Sequence, residues 1–178
     1  MARNLELKSR LHDLPSARLV AARLSGGQPQ VLEQVDTYFF CPRGRLKLRE
    51  IPGEIPHLVA YVRPDQSAAR TSDYLLVPVS DAPELKAALA AALGVWGTVH
   101  KRREVSLVEN VRVHLDEVER LGTFLEFEAV LHTPEQERLA PAQLDRLSQE
   151  FGLEPGDFIA GSYSDLLLPP FPGFATNR

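Results

Sequence analysis

The chain has 178 residues, of which 44% are hydrophobic and 25% are charged, so it can form one globular domain with a substantial core. Its formal net charge of -4 at pH 7 argues against a general binder of nucleic acids or anionic membranes, because such proteins carry an excess of basic residues. The amino end, MARNLELKSR, is polar rather than a secretory leader, and no apolar run approaches the length of a membrane span, so we expect a cytoplasmic protein.

Eight segments in which apolar and polar residues alternate predict β-strands. They are residues 4–11, 35–40, 44–50, 56–64, 72–79, 97–108, 110–116 and 122–131. The second and third would form a hairpin around the turn Cys41-Pro42-Arg43-Gly44, and this single cysteine has no partner for an internal disulfide or a thiolate metal site. Eight antiparallel strands can close into a narrow barrel, and closure removes the exposed sheet edges.

Two amphipathic helices are predicted between the strands. Asp13 can cap a helix over about residues 14–24, and Asp81 can cap a second helix that ends at Gly94. Each carries apolar residues at helical spacing, so each can cover one side of a sheet.

The carboxyl-terminal part predicts further helices. A capping box at residues 133–136 begins one of them, and we expect Pro141 to break it, so that a separate helix follows to about Phe151. The segment SYSDLL predicts a short docked helix, followed by a loose tail over about residues 169–178. Because we find no long polar linker, internal repeat or low-complexity stretch, we expect residues 1–178 to form a single α+β domain.

Basic residues collect on one side of the predicted strand GRLKLRE. Arg45, Lys47 and Arg49 alternate with leucines, so all three cations point the same way. That side is either a solvated outer face or a face turned towards something negative. If the strands close into a barrel, the polar faces converge inside it and the helices cover the apolar faces outside. The interior would then hold Glu6, Lys8, Lys47, Arg49, Arg63, Lys101, Arg103, Asp116, Glu126 and Glu128.

One predicted strand is ambiguous. The stretch HKRRE carries charge on both faces, so alternation leaves open whether Lys101 and Arg103 or His100 and Arg102 point inward.

Several ordered motifs carry a family resemblance. They are NLELK, QVDTYF followed by GRLKLRE, YVR, VHKRR and NVRVHLDEVERLGTFLEFE, in that order from about residue 3 to 131. In these motifs the chain resembles the CYTH superfamily, the triphosphate tunnel metalloenzymes, which include class IV adenylyl cyclases, thiamine triphosphatase and inorganic triphosphatases. The closing SYSDLL is similar to the end of the cyclase-type branch. Several ordered motifs over most of a chain are more specific than one short pattern.

The resemblance implies a closed eight-stranded antiparallel β-barrel, a tunnel with helices packed outside, in which cations hold a triphosphate and acidic residues hold Mg2+ or Mn2+. The implied triphosphate-binding residues are Lys8, Arg45, Lys47, Arg49, Arg63, Lys101, Arg103 and Arg112. The implied metal ligands are Glu6, Asp116, Glu126 and Glu128. The match of Val99, Lys101 and Arg103 to the family's Val-x-Lys-x-Arg element turns Lys101 and Arg103 inward. Asn4 stands where the family signature has its first glutamate, so the number of metal ions stays open.

A bound triphosphate would explain why basic residues collect in the interior of the barrel. Two unit charges about 6 Å apart repel by roughly 3 kcal/mol at an effective dielectric constant of about 20, so several cations in one tunnel are costly without a partner. A triphosphate supplies that partner, and its oxygens suit both bidentate arginines and lysine point charges.

Three functions remain open at this point. The first is a class IV-type adenylyl cyclase that converts ATP to cyclic AMP and pyrophosphate. The second is a triphosphatase acting on tripolyphosphate, thiamine triphosphate or a nucleotide, because it would need the same triphosphate grip. The third is a module that binds triphosphate or polyphosphate without turnover, an interpretation that the uncharged Asn4 keeps open. We expect no nucleic-acid or membrane partner, and a homodimer is left open.

Individual residues also have structural interpretations. Glu6 and Glu126 fit salt-bridge partners of cations, and His114 fits a satisfied interior histidine. Asp36 fits a residue that organises a turn or strand end. Tyr163 fits either an aromatic side chain packed on the barrel or one that closes the tunnel mouth or stacks on a base.

Overall fold

The strands of the protein form a closed barrel. The computed structural model describes residues 2–62 and 67–169. The strands are β1 (Ala2–Arg10), β2 (Gln30–Phe39), β3 (Arg45–Glu50), β4 (His57–Val62), β5 (Arg70–Pro78), β6 (Val95–Val108), β7 (Val111–Val118) and β8 (Gly122–Val130). They close in the order β1-β5-β4-β3-β2-β6-β7-β8, and each neighbouring pair is antiparallel. The predicted eight-stranded antiparallel barrel in an α+β fold is therefore confirmed.

Helices form where the caps predict them. They are α1 (Leu14–Ser25), α2 (Ala82–Leu93), α3 (Pro134–Glu150) and α4 (Tyr163–Leu167), with a 3-10 turn at Pro155–Asp157. Asp13 and Asp81 each accept a backbone N–H of the first turn that follows, and Thr133 forms the predicted capping box with Gln136. Within the described residues, no helix is long and apolar enough to cross a membrane.

The prediction that Pro141 breaks the third helix was wrong. Residues 134–150 form one helix with Pro141 inside it. Proline lacks an N–H and so removes one hydrogen bond of the helix. The apolar side of the helix offsets this loss, because Ala140, Leu144 and Leu147 are buried in the main core cluster. Tertiary packing therefore outweighs the local preference at Pro141.

The apolar side of the barrel faces outward. Helices α1 and α3 cover β1, β6, β7 and β8, and α2 lies against β2 and β3. Below α1 and α3 are the fully buried Val111, Val113, Leu125 and Phe127, which alternate with the polar residues of their strands. This arrangement confirms that the helices cover the outside and leave the interior for polar side chains.

An apolar cluster fills one end of the barrel. Tyr38, Val99, Val118 and Phe124 lie on the inward faces of their strands and pack with Tyr163 of α4. The rings of Phe124 and Tyr163 are 4.9 Å apart between centroids. The interior is therefore a cup that is closed at this end, because α4 inserts its tyrosine into the barrel.

Candidate active site

The inward faces of the strands surround a cavity of about 410 Å3. The charged side chains that line it are Glu6, Lys8, Asp36, Lys47, Arg49, Glu54, Lys101, Arg103, Arg112, Glu126 and Glu128. Six of the eight cations that were predicted to bind triphosphate are among them. The barrel thus gathers side chains from strands that are distant in sequence into one charged interior.

The orientation of the ambiguous strand β6 is resolved. Lys101 and Arg103 line the cavity, whereas Arg102 points outward and contacts Glu104 and Glu117. The inward orientation that the family motif implied is therefore confirmed.

Two predicted cations are not part of the described cavity wall. Arg45 is nearly buried and donates from Nη2 to Asp165 Oδ2 of α4 at 2.8 Å. Arg63 lies outside the described residues, as does almost all of the predicted tail at residues 169–178.

Asp36 is the common acceptor for two cavity cations. It lies opposite Arg49 in the pairing of β2 with β3, and it is 2% exposed. Its carboxylate accepts hydrogen bonds from Lys47 Nζ at 2.7 Å and from Arg49 Nε and Nη2 at 2.9 and 3.1 Å. Gln34 Nε2 donates a further bond at 2.9 Å. Asp36 therefore holds a lysine and an arginine side by side in the cavity wall.

Asp116 forms a second centre of the same kind. In the pairing of β6 with β7 it lies opposite Arg103, whose Nε and Nη2 each donate to it at 2.6 Å. Lys101 Nζ lies 3.3 Å from the same carboxylate, and the Tyr163 hydroxyl donates to it at 2.7 Å. Burial alone would raise the pKa of Asp116, but the charges of Arg103 and Lys101 hold that pKa well below the ordinary aspartate value. Asp116 is therefore a buried carboxylate anion.

The two cavity lysines are poised to titrate. Burial and the charge of Arg49 lower the pKa of Lys47 to about 8. Burial and the charge of Arg103 lower the pKa of Lys101 to about 7. In both cases the nearby aspartate opposes the shift. An anion that enters the cavity would favour the protonated form of both lysines.

Glu126 is engaged by cations. Lys8 Nζ lies 3.1 Å from Oε1 and Arg103 Nη2 lies 2.7 Å from Oε2. Burial would raise the pKa of Glu126, but Lys8, His114 and Arg103 lower it well below the ordinary value. The Lys8 ammonium also lies 4.0 Å from the centre of the Tyr163 ring.

A second acidic group lies where β1 meets β8. Glu6 is directly opposite Glu128 in the strand register. Glu128 accepts from Asn4 Nδ2 and, at 3.2 Å, from Arg112 Nη1. Asn4 is almost fully buried, and its Oδ1 has no hydrogen-bond partner in the described part of the chain. Directly opposed like charges destabilise a sheet, and here cations flank the pair, because Arg112 contacts Glu128 and Arg70 lies opposite Glu6 in the pairing of β1 with β5.

The oxygen atoms of Glu6, Glu128 and Asn4 are candidate ligands for the metal ion that the family resemblance implies. Over residues 2–62 and 67–169, no three His, Cys, Asp or Glu side chains come together in an arrangement that could hold a metal ion. Mg2+ is often bound through only one or two carboxylates, with water and substrate phosphates as the other ligands. Glu6, Glu128 and the unpaired Asn4 Oδ1 supply donors of this type. Asp116 and Glu126 fit a metal less well, because each is held by two buried cations, whereas Glu128 accepts at 3.2 Å from Arg112, whose side chain is 46% exposed.

Some residues of the site were missed by sequence reasoning. Asp36 was expected only to organise a turn or strand end, although its alternation with Gln34 and Tyr38 places it on the inward face of β2. Arg70 of β5, an almost fully buried cation that no motif indicated, is not part of the cavity lining but lies opposite Glu6 in the pairing of β1 with β5, and its Nη1 donates to the carbonyl of Ile159 at 3.1 Å.

The family profile for the CYTH domain matches residues 2–163, so the chain belongs to the CYTH family. A comparison with curated protein sequences gave no match.

Solved structures share the fold at low sequence identity. The PH1012 protein from Pyrococcus horikoshii OT3 is 23% identical, with a TM-score of 0.76 over 92% of this chain and 98% of its own. A "putative adenylate cyclase" from Vibrio parahaemolyticus is 20% identical, with a TM-score of 0.73 over 92% of this chain and 97% of its own. HpAC1 from Hippeastrum, a "putative adenylyl cyclase" described with a dominant triphosphatase activity, is 19% identical, with a TM-score of 0.59 over 97% of this chain and 99% of its own. At these identities the likeness shows a shared fold.

Proposed function

We propose that the protein is a divalent-metal-dependent enzyme that holds a triphosphate in the cavity and converts ATP to cyclic AMP and pyrophosphate. One observation supports the triphosphate site in this proposal, although it serves cyclisation and hydrolysis equally: at the closed end of the cavity, five cations face three carboxylates. The cations are Lys8, Lys47, Arg49, Lys101 and Arg103, and the carboxylates are Asp36, Asp116 and Glu126. A buried excess of positive charge is costly, and a bound polyanion removes that cost.

The two aspartates hold the cations in place before the ligand arrives. Arg49 donates to Asp36 from Nε and Nη2, so Nη1 and the second hydrogen of Nη2 can give two parallel hydrogen bonds to phosphate oxygens. Arg103 uses Nε and Nη2 for Asp116 and Glu126, so its Nη1 is the group that can meet a phosphate, whereas Lys47 and Lys101 act as point charges. Because Asp36 and Asp116 already fix these side chains, little ordering is left for the moment of binding. We therefore assign Asp36, Asp116 and Glu126 to orienting the cations rather than to binding the metal ion.

A divalent ion held by Glu6, Glu128 and Asn4 Oδ1 would neutralise charge that develops on the phosphate oxygens. The side chains of the cavity hold and orient the phosphates. In cyclisation, the ribose 3′-oxygen forms a bond to the α-phosphorus, and the bond from that phosphorus to the pyrophosphate oxygen breaks. The products are cyclic AMP, pyrophosphate and a proton. The protein contributes position and charge stabilisation to this step.

Hydrolysis is the second candidate. The same cations would hold tripolyphosphate, thiamine triphosphate or a nucleotide while water attacks the terminal phosphorus. HpAC1, which has this fold, is described with a dominant triphosphatase activity, and this description supports the alternative. A module that binds triphosphate without turnover is the third candidate.

Product analysis tests the proposal. The protein is incubated with ATP and Mg2+ or Mn2+, with EDTA as the blank, and the nucleotide and phosphate products are identified. We expect cyclic AMP and pyrophosphate. If the product is orthophosphate, the cyclase proposal is wrong and the triphosphatase is supported. If the protein binds ATP but forms no product, the binding module is supported. Lys47→Met, which removes a cavity cation, should lose the activity, whereas a contaminating enzyme would be unaffected.

A further inference from the structure

One wall of the cavity differs from the rest. Val59 lies opposite Leu76, and Tyr61 lies opposite Tyr74, in the pairing of β4 with β5. All four residues line the cavity. They form an apolar and aromatic surface, which we name the β4–β5 wall, in an interior whose other strands contribute mostly charged or polar side chains.

The outer part of this wall is open to water. Leu76 lines the cavity and yet is 51% exposed, whereas its cross-strand partner Val59 is 6% exposed. The wall therefore runs from a buried part to an exposed apolar part. An apolar side chain that stays in water inside a cavity gains stabilisation when a ligand covers it.

The wall lies beside the proposed phosphate-binding cations. Lys47 is directly opposite Val59 in the pairing of β3 with β4, and its Nζ lies 5.6 Å from the centre of the Tyr61 ring. A group attached to a phosphate that Lys47 holds would thus lie next to the wall. The cavity volume of about 410 Å3 falls in the range of sites that take small organic ligands.

We propose that the β4–β5 wall binds the organic head group of the substrate. The substrate is then an organic triphosphate with a planar head, such as a nucleoside triphosphate, rather than inorganic tripolyphosphate. The inference rests on the proposed function, because it requires the phosphates to lie among the cavity cations. Inorganic tripolyphosphate has no part that an apolar wall would recognise, whereas aromatic and aliphatic side chains stack on a planar ring whatever its hydrogen-bonding edge.

The chain offers a matched pair of variants for the test. Leu75 and Leu76 are neighbours on β5 with nearly equal exposure, 49% and 51%, but only Leu76 lines the cavity. We would titrate ATP and tripolyphosphate separately into metal-free protein in EDTA by calorimetry, so that no turnover occurs. The proteins would be wild type, Leu76→Ala, Tyr74→Ala and Leu75→Ala.

We expect Leu76→Ala to weaken ATP binding by about fivefold, the effect of losing about half of a leucine's apolar contact, and to leave tripolyphosphate binding unchanged. Tyr74→Ala should act in the same direction, and Leu75→Ala should change neither affinity. Unchanged ATP binding in both wall variants would overturn the inference, as would equal weakening of both ligands. Wild-type protein that binds neither ligand would instead contradict the proposed triphosphate site itself.

Discussion

Arg103 and Asp116 form a bidentate ion pair inside the barrel, with Nε and Nη2 of the arginine each 2.6 Å from the carboxylate. Asp116 is 0% exposed, so nothing in solvent can replace the arginine. The pair joins β6 to β7 and holds Arg103 where it can meet a phosphate. A residue proposed to bind substrate thus also supports the fold.

Arg103→Met should therefore lower the stability of the barrel. Removing one partner of a buried pair costs about 3 to 5 kcal/mol in the free energy of unfolding, because it leaves an uncompensated charge. Urea denaturation measures this loss. The control is Arg18→Met, which breaks a pair with Glu104 in which the arginine is 41% exposed, and exposed pairs contribute about 0 to 1 kcal/mol. Equal losses in the two variants would show that Arg103 is not structural.

Asp36→Asn tests whether Asp36 positions Lys47 and Arg49. If only net charge mattered, removing a negative group from the cavity would tighten tripolyphosphate binding. We expect weaker binding, because Lys47 and Arg49 lose the carboxylate charge that they share and one of its two acceptor oxygens. The loss should be larger at about pH 8.5 than at about pH 6.5, since without Asp36 the pKa of Lys47 falls further and less of this lysine is charged.

The matched control for Asp36 is Glu54→Gln. Glu54 also lines the cavity, but it accepts a hydrogen bond from Gln30 at 3.2 Å. Its removal should leave tripolyphosphate binding unchanged or slightly tighter at both pH values. The positioning role is refuted when calorimetry gives the same response for Asp36→Asn as for Glu54→Gln.

Triphosphate binding should take up protons. At about pH 8, Lys101 is mostly neutral and Lys47 is about half neutral in the free protein, and a bound anion raises both pKa values. We therefore expect an uptake of about one proton per tripolyphosphate bound, and an affinity that falls as pH rises through this range. Calorimetry in two buffers of different ionisation enthalpy measures the uptake.

Lys47→Arg provides the control for proton uptake. Arginine keeps the positive charge but does not titrate in this range. The uptake in this variant should fall by about half a proton while binding persists. An uptake that is absent in the wild type, or that is the same in both proteins, would contradict the titration of Lys47.

The metal ion gives a further pair of expectations. Glu128→Gln should reduce activity by more than an order of magnitude at low Mn2+ and leave metal-free tripolyphosphate binding intact, because a hard cation needs the carboxylate charge. Glu126→Gln should instead lower stability, since Lys8 and Arg103 lose part of their partner. Activity at graded Mn2+ and urea denaturation separate these outcomes. If Glu126→Gln instead loses activity at low Mn2+ and Glu128→Gln loses stability, Glu126 is a metal ligand, as the family resemblance implies.

Asn4→Glu tests the same proposed metal site by adding a carboxylate instead of removing one. The added carboxylate would stand next to Glu6 and Glu128 and should lower the Mn2+ concentration needed for half-maximal activity. A variant with an unchanged metal requirement would show that Asn4 already fills its role or lies outside the site.

Much of the fold follows from simple alternation in the sequence. The inward and outward faces of most strands were predictable because these strands have one apolar side, whereas β6 carries charge on both sides and only the family motif indicated its orientation. The predicted strand count was correct. Local pattern failed at β2, which begins at Gln30 rather than at residue 35, because Gln30–Gln34 shows no continuous apolar face. It failed again at Pro141, where packing of Ala140 and Leu144 keeps one helix intact.

The partners inside the site were harder to predict. Asp36 meets Arg49, and Asp116 meets Arg103, only through the register of neighbouring strands, which alternation does not determine. The hydroxyl of Tyr163, in the five-residue helix α4, donates to Asp116, which lies 47 residues earlier in the chain. Sequence therefore predicted most of the cations that line the cavity, missed Asp36 and Glu54 among its carboxylates, and left the pairing to the structure.

Thermal unfolding of the metal-free protein with tripolyphosphate tests the proposed anion site most directly. At about a hundred times its dissociation constant, a ligand that binds only the folded state adds roughly 2.7 kcal/mol to the free energy of unfolding. We expect the Tm to rise with tripolyphosphate, to rise less in Lys47→Met, and to change little with sulfate at equal ionic strength. An unchanged Tm with tripolyphosphate, or an equal rise with sulfate, would contradict a triphosphate site in this cavity.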